Sequence, residues 1–287
     1  MNFKNKKILI FVVAFNAAPS LELVLKRIPE EVFKYDYEIL IIDDSSTDNT
    51  FSVGRRYQMQ NKNLNLTVLF NPVNQGYGGN QKLGYCYAIR HGFDVVILLH
   101  GDGQYPPEMI EPVVLPILNN EADAVFGSRM MTWLGALQGG MPLYKYVGNR
   151  ILTCFQNFLL GTRLSEFHSG FRAYSVPALK KIPFQRNTGD FHFDTEIIIQ
   201  LVHAGFRIQE IPIPTHYGDE VCHVNGLKYA LDVFKTMLAF RLHKMSLVYQ
   251  LNFDVDPQTT FYEMTLAFSG TLSIAIECDE QYGNFIS

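Results

Sequence analysis

Short apolar runs without polar interruption recur along this chain at residues 8–13, 39–42, 66–70, 95–99 and 124–127. Each has strand length and is too hydrophobic to alternate between a wet and a dry face, so each predicts a buried parallel strand. Between them the apolar residues change period. Leu21, Val24, Leu25 and Ile28 recur at helical spacing and stop at Pro29, and Leu83, Tyr87 and Ala88 do so again after a glycine-rich stretch. Strands alternating with helices predict an α/β fold, a mostly parallel sheet flanked by helices.

The C-terminal half has a different rhythm. Val147, Ile151, Phe155, Phe158 and Leu159 form an apolar stripe, with Asn149, Arg150, Thr153, Gln156 and Asn157 opposite and Gly161 as a stop. Packing against the core is the default reading of that stripe, and a helix lying at a membrane interface is the alternative. A strand-like segment follows at 166–174, then a helix through Ile197, Ile198, Leu201 and Val202, and a strand at 206–211. Leu227, Ala230, Leu231, Phe234, Met237 and Leu238 predict a long amphipathic helix carrying Lys228, Lys235, Arg241 and Lys244. The composition changes after about residue 250, which divides the chain into a domain at 1–250 and a tail at 251–287 of unassigned role.

Polar clusters follow the apolar runs, at 14–17, 43–48, 74–82, 100–104 and 127–129. In a parallel sheet these all fall at strand C-terminal ends, the edge where open α/β sheets hold ligands. Asp102 and Gln104 lie two residues apart, so in extended backbone they face one spot, and oxygen donors of that kind suit Mg²⁺ or Mn²⁺ beside a phosphate. Asp43 and Asp44 supply more acid than a helix cap needs. The Gly76-Tyr77-Gly78-Gly79 loop lets backbone approach a phosphate at a helix start, yet it lacks a Walker ending and follows the third strand rather than the first. The clusters together predict a nucleotide site at the top of the sheet.

Composition narrows the function further. The chain has 287 residues, 47% hydrophobic and 18% charged, with a net charge of −4 and a pI near 6.1. That balance offers no general attraction for nucleic acid, so no nucleic-acid partner is expected. Cys86, Cys154, Cys222 and Cys278 are scattered without paired spacing, which indicates neither a zinc site nor a disulfide framework. The basic start followed by an apolar run reads as a first strand rather than a signal peptide, and no window matches a membrane span. A cytoplasmic protein is expected, with peripheral contact to the cytoplasmic face of a membrane left open.

The Ala-Phe-Asn turn at 14–16, Asp-Asp-Ser-Ser-Thr-Asp-Asn-Thr at 43–50, Gly-Tyr-Gly-Gly-Asn at 76–80, Asp-Gly-Gln-Tyr-Pro-Pro at 102–107, Gly-Ser-Arg at 127–129 and Ser-Gly-Phe-Arg at 169–172 occur in this order. Together they resemble a family-two glycosyltransferase over roughly residues 7–245, most of all the dolichol-phosphate mannose synthase type. The resemblance implies a GT-A (Rossmann-like) fold, a nucleoside-diphosphate sugar donor, a divalent cation (Mg or Mn), and inversion at the anomeric carbon. It assigns Ala14 and Asn16 to the base and ribose pocket, Asp43 to the nucleobase with Asp44 beside it, and Asn74, Gly76 and Lys82 to the nucleotide-sugar. Asp102 meets the metal and the diphosphate, with Gln104 and His100 as further metal ligands. Arg129, Arg150 and Arg172 resemble the family's phosphate-handling arginines, gripping the donor diphosphate or an acceptor phosphate.

The chain departs from that family in two places. His100 stands where an acid opens the usual Asp-x-Asp, and Ala17 stands where an acid follows the first-turn Asn. The expected acceptor is a polyprenyl phosphate, already ionised and needing no base. A glycan or glycolipid hydroxyl is the alternative and requires a carboxylate base, Asp194 first and Glu196 in reserve, although acids there also suit a helix start. A third reading is a sugar-nucleotide-binding regulatory subunit with little turnover. His192, His216 and His223 are minor acceptor-site candidates, and the oligomeric state is left open.

Overall fold

The computed structural model describes residues 6–132, 134–215 and 225–255. The five apolar runs form β1 (Lys7–Ala14), β2 (Asp36–Asp43), β3 (Leu66–Phe70), β4 (Val95–His100) and β5 (Ala124–Ser128). With β6 (Arg172–Ser175) and β7 (Ile208–Pro212) they make one seven-stranded sheet in the order β3-β2-β1-β4-β6-β5-β7. Neighbours run parallel except at β6, which is antiparallel to both β4 and β5. Arg172 therefore lies opposite both Leu98 and Phe126, and the loop entering β6 arrives at the same edge where β4 and β5 end.

The connecting segments fold as α1 (Leu21–Lys26), α2 (Thr50–Gln60), α3 (Gly76–Arg90), α4 (Ile110–Leu118), α5 (Gly135–Gln138), α6 (Leu143–Leu160), α7 (Val176–Leu179), α8 (Phe193–His203) and α9 (Gly226–Lys244). Alternate residues of β1 serve two cores. Ile8, Ile10 and Val12 pack with α1, α2 and α4, whereas Leu9 and Phe11 pack with α3, α7 and α8. Burial on both faces is why β1 and β4 read as unbroken apolar runs. Helix α3 crosses β1 at Gly84, where a Cβ would stand 2.1 Å from the Phe11 ring, so only glycine permits that approach.

Helix α6 overturns the default reading of its stripe. Its apolar residues Val147, Ile151 and Phe158 are 45%, 63% and 83% exposed, while Asn149, Thr153 and Gln156 are buried. The polar side turns inward because it finds partners there. Asn149 Nδ2 donates to Glu166 Oε1 at 2.8 Å, Thr153 Oγ1 to Asn149 Oδ1 at 3.2 Å, and Gln156 Nε2 to Thr195 Oγ1 at 3.3 Å. Phe155 stacks on Phe234 of α9, with ring centroids 5.2 Å apart. Leu227, Leu231, Phe234 and Leu238 extend the exposed apolar surface along α9. Among the described residues, no helix is long and apolar enough to cross a membrane.

The stretch at 130–146 folds on a small cluster of Met130, Ala136 and Met141. Residues 251–253, counted with the tail in the sequence reading, dock on the domain. Phe253 is buried beside Val233, Met237 and Phe240, and Asn252 Nδ2 donates to Glu196 Oε1 at 3.0 Å. The remaining tail, 256–287, lies outside the described residues.

Candidate active site

A cleft of about 1210 Å³ opens along the C-terminal edge of the strands. Ala14, Asp44, Asn74, Gly76, His100, Asp102, Gln104, Arg129 and Asp194, drawn from the ends of separate elements, all line it. Apolar residues line the same cleft, Met141, Tyr144, Ile151 and Leu152 from α6 and its approach and Leu227 and Ala230 from α9, with Lys145 and Asn149 of α6 beside them.

The loops after β1, β2 and β3 are tied to one another. Asn16, at φ 48°, accepts from the Thr47 N–H at 2.9 Å, and its own N–H donates to Ser46 Oγ at 2.8 Å. Ala17, standing where relatives are expected to carry an acid, is buried and donates its N–H to Thr50 Oγ1 at 2.8 Å. Asp44 Oδ1 accepts from Asn71 Nδ2 and the Gln75 N–H, both at 2.8 Å, while Asn74 bonds the Asp44 carbonyl and the Gly76 N–H. Desolvation raises the Asp43 and Asp44 carboxyls above the usual range, opposed by these donors and by Ser46. Asp43 Oδ1 accepts from the Ser46 N–H and Oγ, and its buried Oδ2 has no hydrogen-bond partner among the described residues. Asp43 and Asn16 sit behind the cleft wall rather than in it.

At the end of β4, Asp102 is 42% exposed in its side chain and accepts from the Gln104 N–H at 3.0 Å. His100 Nδ1 lies 4.0 Å from Asp102 Oδ2, its ring held between Tyr77 and Tyr105. Burial pushes His100 below the ordinary histidine range, leaving a neutral imidazole. An exposed carboxylate, an amide and a neutral ring nitrogen on one wall suit a divalent cation, although with less charge than two carboxylates give.

The predicted arginines divide. Arg129 reaches the cleft, braced by Glu166, which receives its Nε at 3.0 Å, its Nη2 and its backbone N–H. Burial raises the Glu166 carboxyl, but the Arg129 guanidinium more than offsets it and holds the group below the usual range. Arg172 does not reach the cleft. It is 1% exposed, donates to the carbonyls of Ser169, Phe167 and Asp194, and lies 3.4 Å from Asp194 Oδ1. Its phosphate-gripping assignment is corrected to a brace beneath the floor. Arg150 is likewise outside the lining, bonded to the Met130 carbonyl at 2.9 Å.

Three further assignments move. Lys82 is buried and donates to the Asn187 carbonyl, away from the cleft. Glu196 does not face the cleft and accepts from the Thr188 N–H and Asn252, which removes it as a reserve base. Asp194 lines the cleft but accepts from the Tyr77 hydroxyl at 3.0 Å and from Gln81 Nε2 at 3.3 Å, besides its contact with Arg172. His192 ends the turn before α8, where it gathers with Asp190 and Asp232, and Lys228 already engages Asp190 at 2.8 Å. His216 and His223 lie outside the described residues.

Sequence reasoning missed His168, Tyr77 and Tyr229. Tyr77 stacks on Phe191 with ring centroids 5.3 Å apart and hydrogen-bonds Asp194, and His168 Nδ1 meets the Tyr229 hydroxyl at 2.8 Å. A histidine one residue before Ser-Gly-Phe-Arg was the available signal for His168.

Known proteins resemble this chain in sequence and in fold. A profile of the family described as "Glycosyl transferase family 2" matches residues 9–183. An uncharacterized protein of Methanocaldococcus jannaschii is 31% identical over 213 residues, 74% of this chain and 83% of the relative. A UDP-N-acetylglucosamine–dolichyl-phosphate N-acetylglucosaminyltransferase of Methanococcus voltae is 27% identical over 84% of this chain and 98% of its own. An undecaprenyl-phosphate mannosyltransferase of Micrococcus luteus is 26% identical over 72% and 82%. Among solved structures, glucosyl-3-phosphoglycerate synthase from Mycobacterium tuberculosis with UDP superposes at a TM-score of 0.60, with 18% identity over 82% of this chain and 80% of its own. The same enzyme with Mn²⁺, UDP and phosphoglyceric acid gives 0.58, at 17% identity over 82% and 78%.

Proposed function

Because the chain belongs to glycosyl transferase family 2 and is a glycosyltransferase of GT-A fold, we propose that it moves one sugar from a nucleoside-diphosphate donor to a polyprenyl phosphate. The observation that carries this reading is a single cleft whose polar half lies at the strand ends and whose apolar half lies between α6 and α9. A nucleotide suits the first half and a lipid phosphate the second. The relatives named for dolichyl-phosphate and undecaprenyl-phosphate transfer support the same acceptor class.

The donor base sits by Asp44 at the nucleotide end of the cleft, with Asp43 held behind it on Ser46. Asp102, Gln104 and His100 would hold a divalent cation, Mg²⁺ or Mn²⁺, which supplies charge neutralisation for the diphosphate. Arg129, stiffened by Glu166, stabilises the negative charge that grows as the sugar–oxygen bond breaks. An ionised phosphate oxygen of the acceptor attacks the anomeric carbon from the opposite side. The bonding pair of the broken bond leaves on the diphosphate, and the configuration inverts. No base is required, which agrees with the full set of partners around Asp194.

The exposed apolar faces of α6 and α9 serve as a peripheral contact with a lipid bilayer, bringing the cleft to the acceptor. The test is release of nucleoside diphosphate by purified protein with Mn²⁺, with farnesyl phosphate, with a simple glycan, or with neither. Farnesyl phosphate raises the rate, and Asp102→Ala lowers kcat by about 10²-fold or more, as loss of a transition-state charge partner does elsewhere. A rate indifferent to the lipid overturns the acceptor assignment.

A further inference from the structure

Resting on the acceptor reading above, we propose that His168 is an acceptor-binding residue, donating its Nε2–H to a phosphoryl oxygen of the acceptor. The inference starts from an unfinished hydrogen-bond chain. The Tyr229 hydroxyl of α9 meets His168 Nδ1 at 2.8 Å. The chain ends at Nε2, a buried ring nitrogen with no hydrogen-bond partner among the described residues.

The pair has a direction. A phenol is a better donor than a neutral imidazole, and an imidazole nitrogen a better acceptor than a phenol oxygen. That difference sends the Tyr229 hydrogen to Nδ1 and leaves the ring hydrogen on Nε2. The ring stays uncharged at neutral pH, because burial, with Arg172 and Arg129 nearby, lowers it to about 4 against the opposing Glu166. His168 is thereby fixed as a donor rather than a base.

Position selects the partner. In the sheet order, β3, β2 and β1 lie on one side of β4, and β6 on the other. His168 precedes β6, on the side away from the nucleotide loops, and lines the cleft with Tyr229, Leu227 and Ala230. Its carbonyl accepts from Arg129 Nη2 at 3.2 Å, so the imidazole and the guanidinium belong to one rigid unit. A buried donor without a partner is costly, and a phosphoryl oxygen seated here removes that cost without competition from bulk water.

The first test needs no variant. Imidazole nitrogen NMR of the wild-type protein at pH 7 shows His168 as the Nε2–H tautomer, and farnesyl phosphate in micelles shifts that resonance. The second test is calorimetric. His168→Phe weakens farnesyl phosphate binding by about 10-fold, the order expected for one buried hydrogen bond, and His168→Gln restores part of it. Tyr229→Phe mixes the tautomers and weakens the same binding, while the affinity for UDP or GDP with Mn²⁺ is unchanged in all three. An Nδ1–H tautomer, or unchanged farnesyl phosphate binding in His168→Phe, overturns this inference and leaves the acceptor reading standing. A wild-type protein that binds the nucleotide but no polyprenyl phosphate overturns both.

Discussion

Glu196 carries a proton that its surroundings, rather than its chemistry, assign to it. Burial raises its carboxyl from 4.5 to about 7, against the Thr188 N–H, Lys82 and Asn252, which favour the charged form. A carboxyl whose folded value exceeds its unfolded value contributes stability that is complete below the unfolded value and is lost as the pH rises through 7. Going from pH 5.5 to 8, wild-type protein loses about 2 kcal/mol relative to Glu196→Gln, at 1.36 kcal/mol per unit of difference. Urea titrations of both proteins at the two pH values check this, and parallel curves refute it. Arg172 gives the companion case. Removing it takes the cation away from the buried Asp194 carboxylate in the cleft lining, so Arg172→Ala costs about 3–5 kcal/mol, the range for half of a buried ion pair, and this too is read by urea denaturation. For Glu196 a helix-start role was legible in the sequence, whereas Arg172 was read only as a phosphate-handling residue. An acid at a helix start or an arginine after Ser-Gly-Phe has the composition of a site, and only the packing of α3, α8 and β6 decides whether it faces water or core.

Elements were legible to the extent that their period implies their surroundings. The runs at 95–99 and 8–13 are covered on both faces, and a strand so covered has only one reading. The segment at 166–174 contracted to Arg172–Ser175 because a short strand alone cannot declare its direction. Helix α6 was read with its stripe toward the core, because period reveals that two faces differ but not which one finds partners. Asn149 and Gln156 find theirs on Glu166 and Thr195, outside the helix, and so the polar face goes in. Ile151→Glu combined with Phe158→Glu therefore leaves the unfolding free energy within about 0.5 kcal/mol of wild type in urea titrations, as exposed substitutions do. The same protein loses sedimentation with anionic lipid vesicles, and retained sedimentation removes the bilayer contact. Gly84→Ala is the opposite kind of change. With Phe11 only 2.1 Å from the new methyl, overpacking costs about 1–3 kcal/mol, measured by thermal or urea unfolding.

Across the whole molecule, the order of strands becomes an order of chemistry. Reading along the sheet edge, the loops of β3, β2 and β1 carry Asn74, Asp44 and Ala14, β4 carries His100 and Asp102, and β6 and β5 bring His168 and Arg129. A nucleotide sugar has parts in the same sequence, namely base, ribose, diphosphate and sugar, with the acceptor beyond. The antiparallel turn of β6 makes this possible, since it delivers the loop before Arg172 to the edge where parallel strands deliver their ends. If the cleft is laid out in this way, its two ends act independently. Asp44→Ala, which removes the carboxylate lining the nucleotide end, weakens nucleoside-diphosphate binding by about 10-fold, the value of one buried hydrogen bond, and leaves farnesyl phosphate binding unchanged. Leu227→Glu at the other end does the reverse, because it puts a charge on the apolar wall that a lipid phosphate must pass. In the double variant the two losses add to within about 0.5 kcal/mol, the tolerance for sites without shared partners. Calorimetry on the four proteins checks this, and a large coupling between the two ends would mean that both variants act on one subsite.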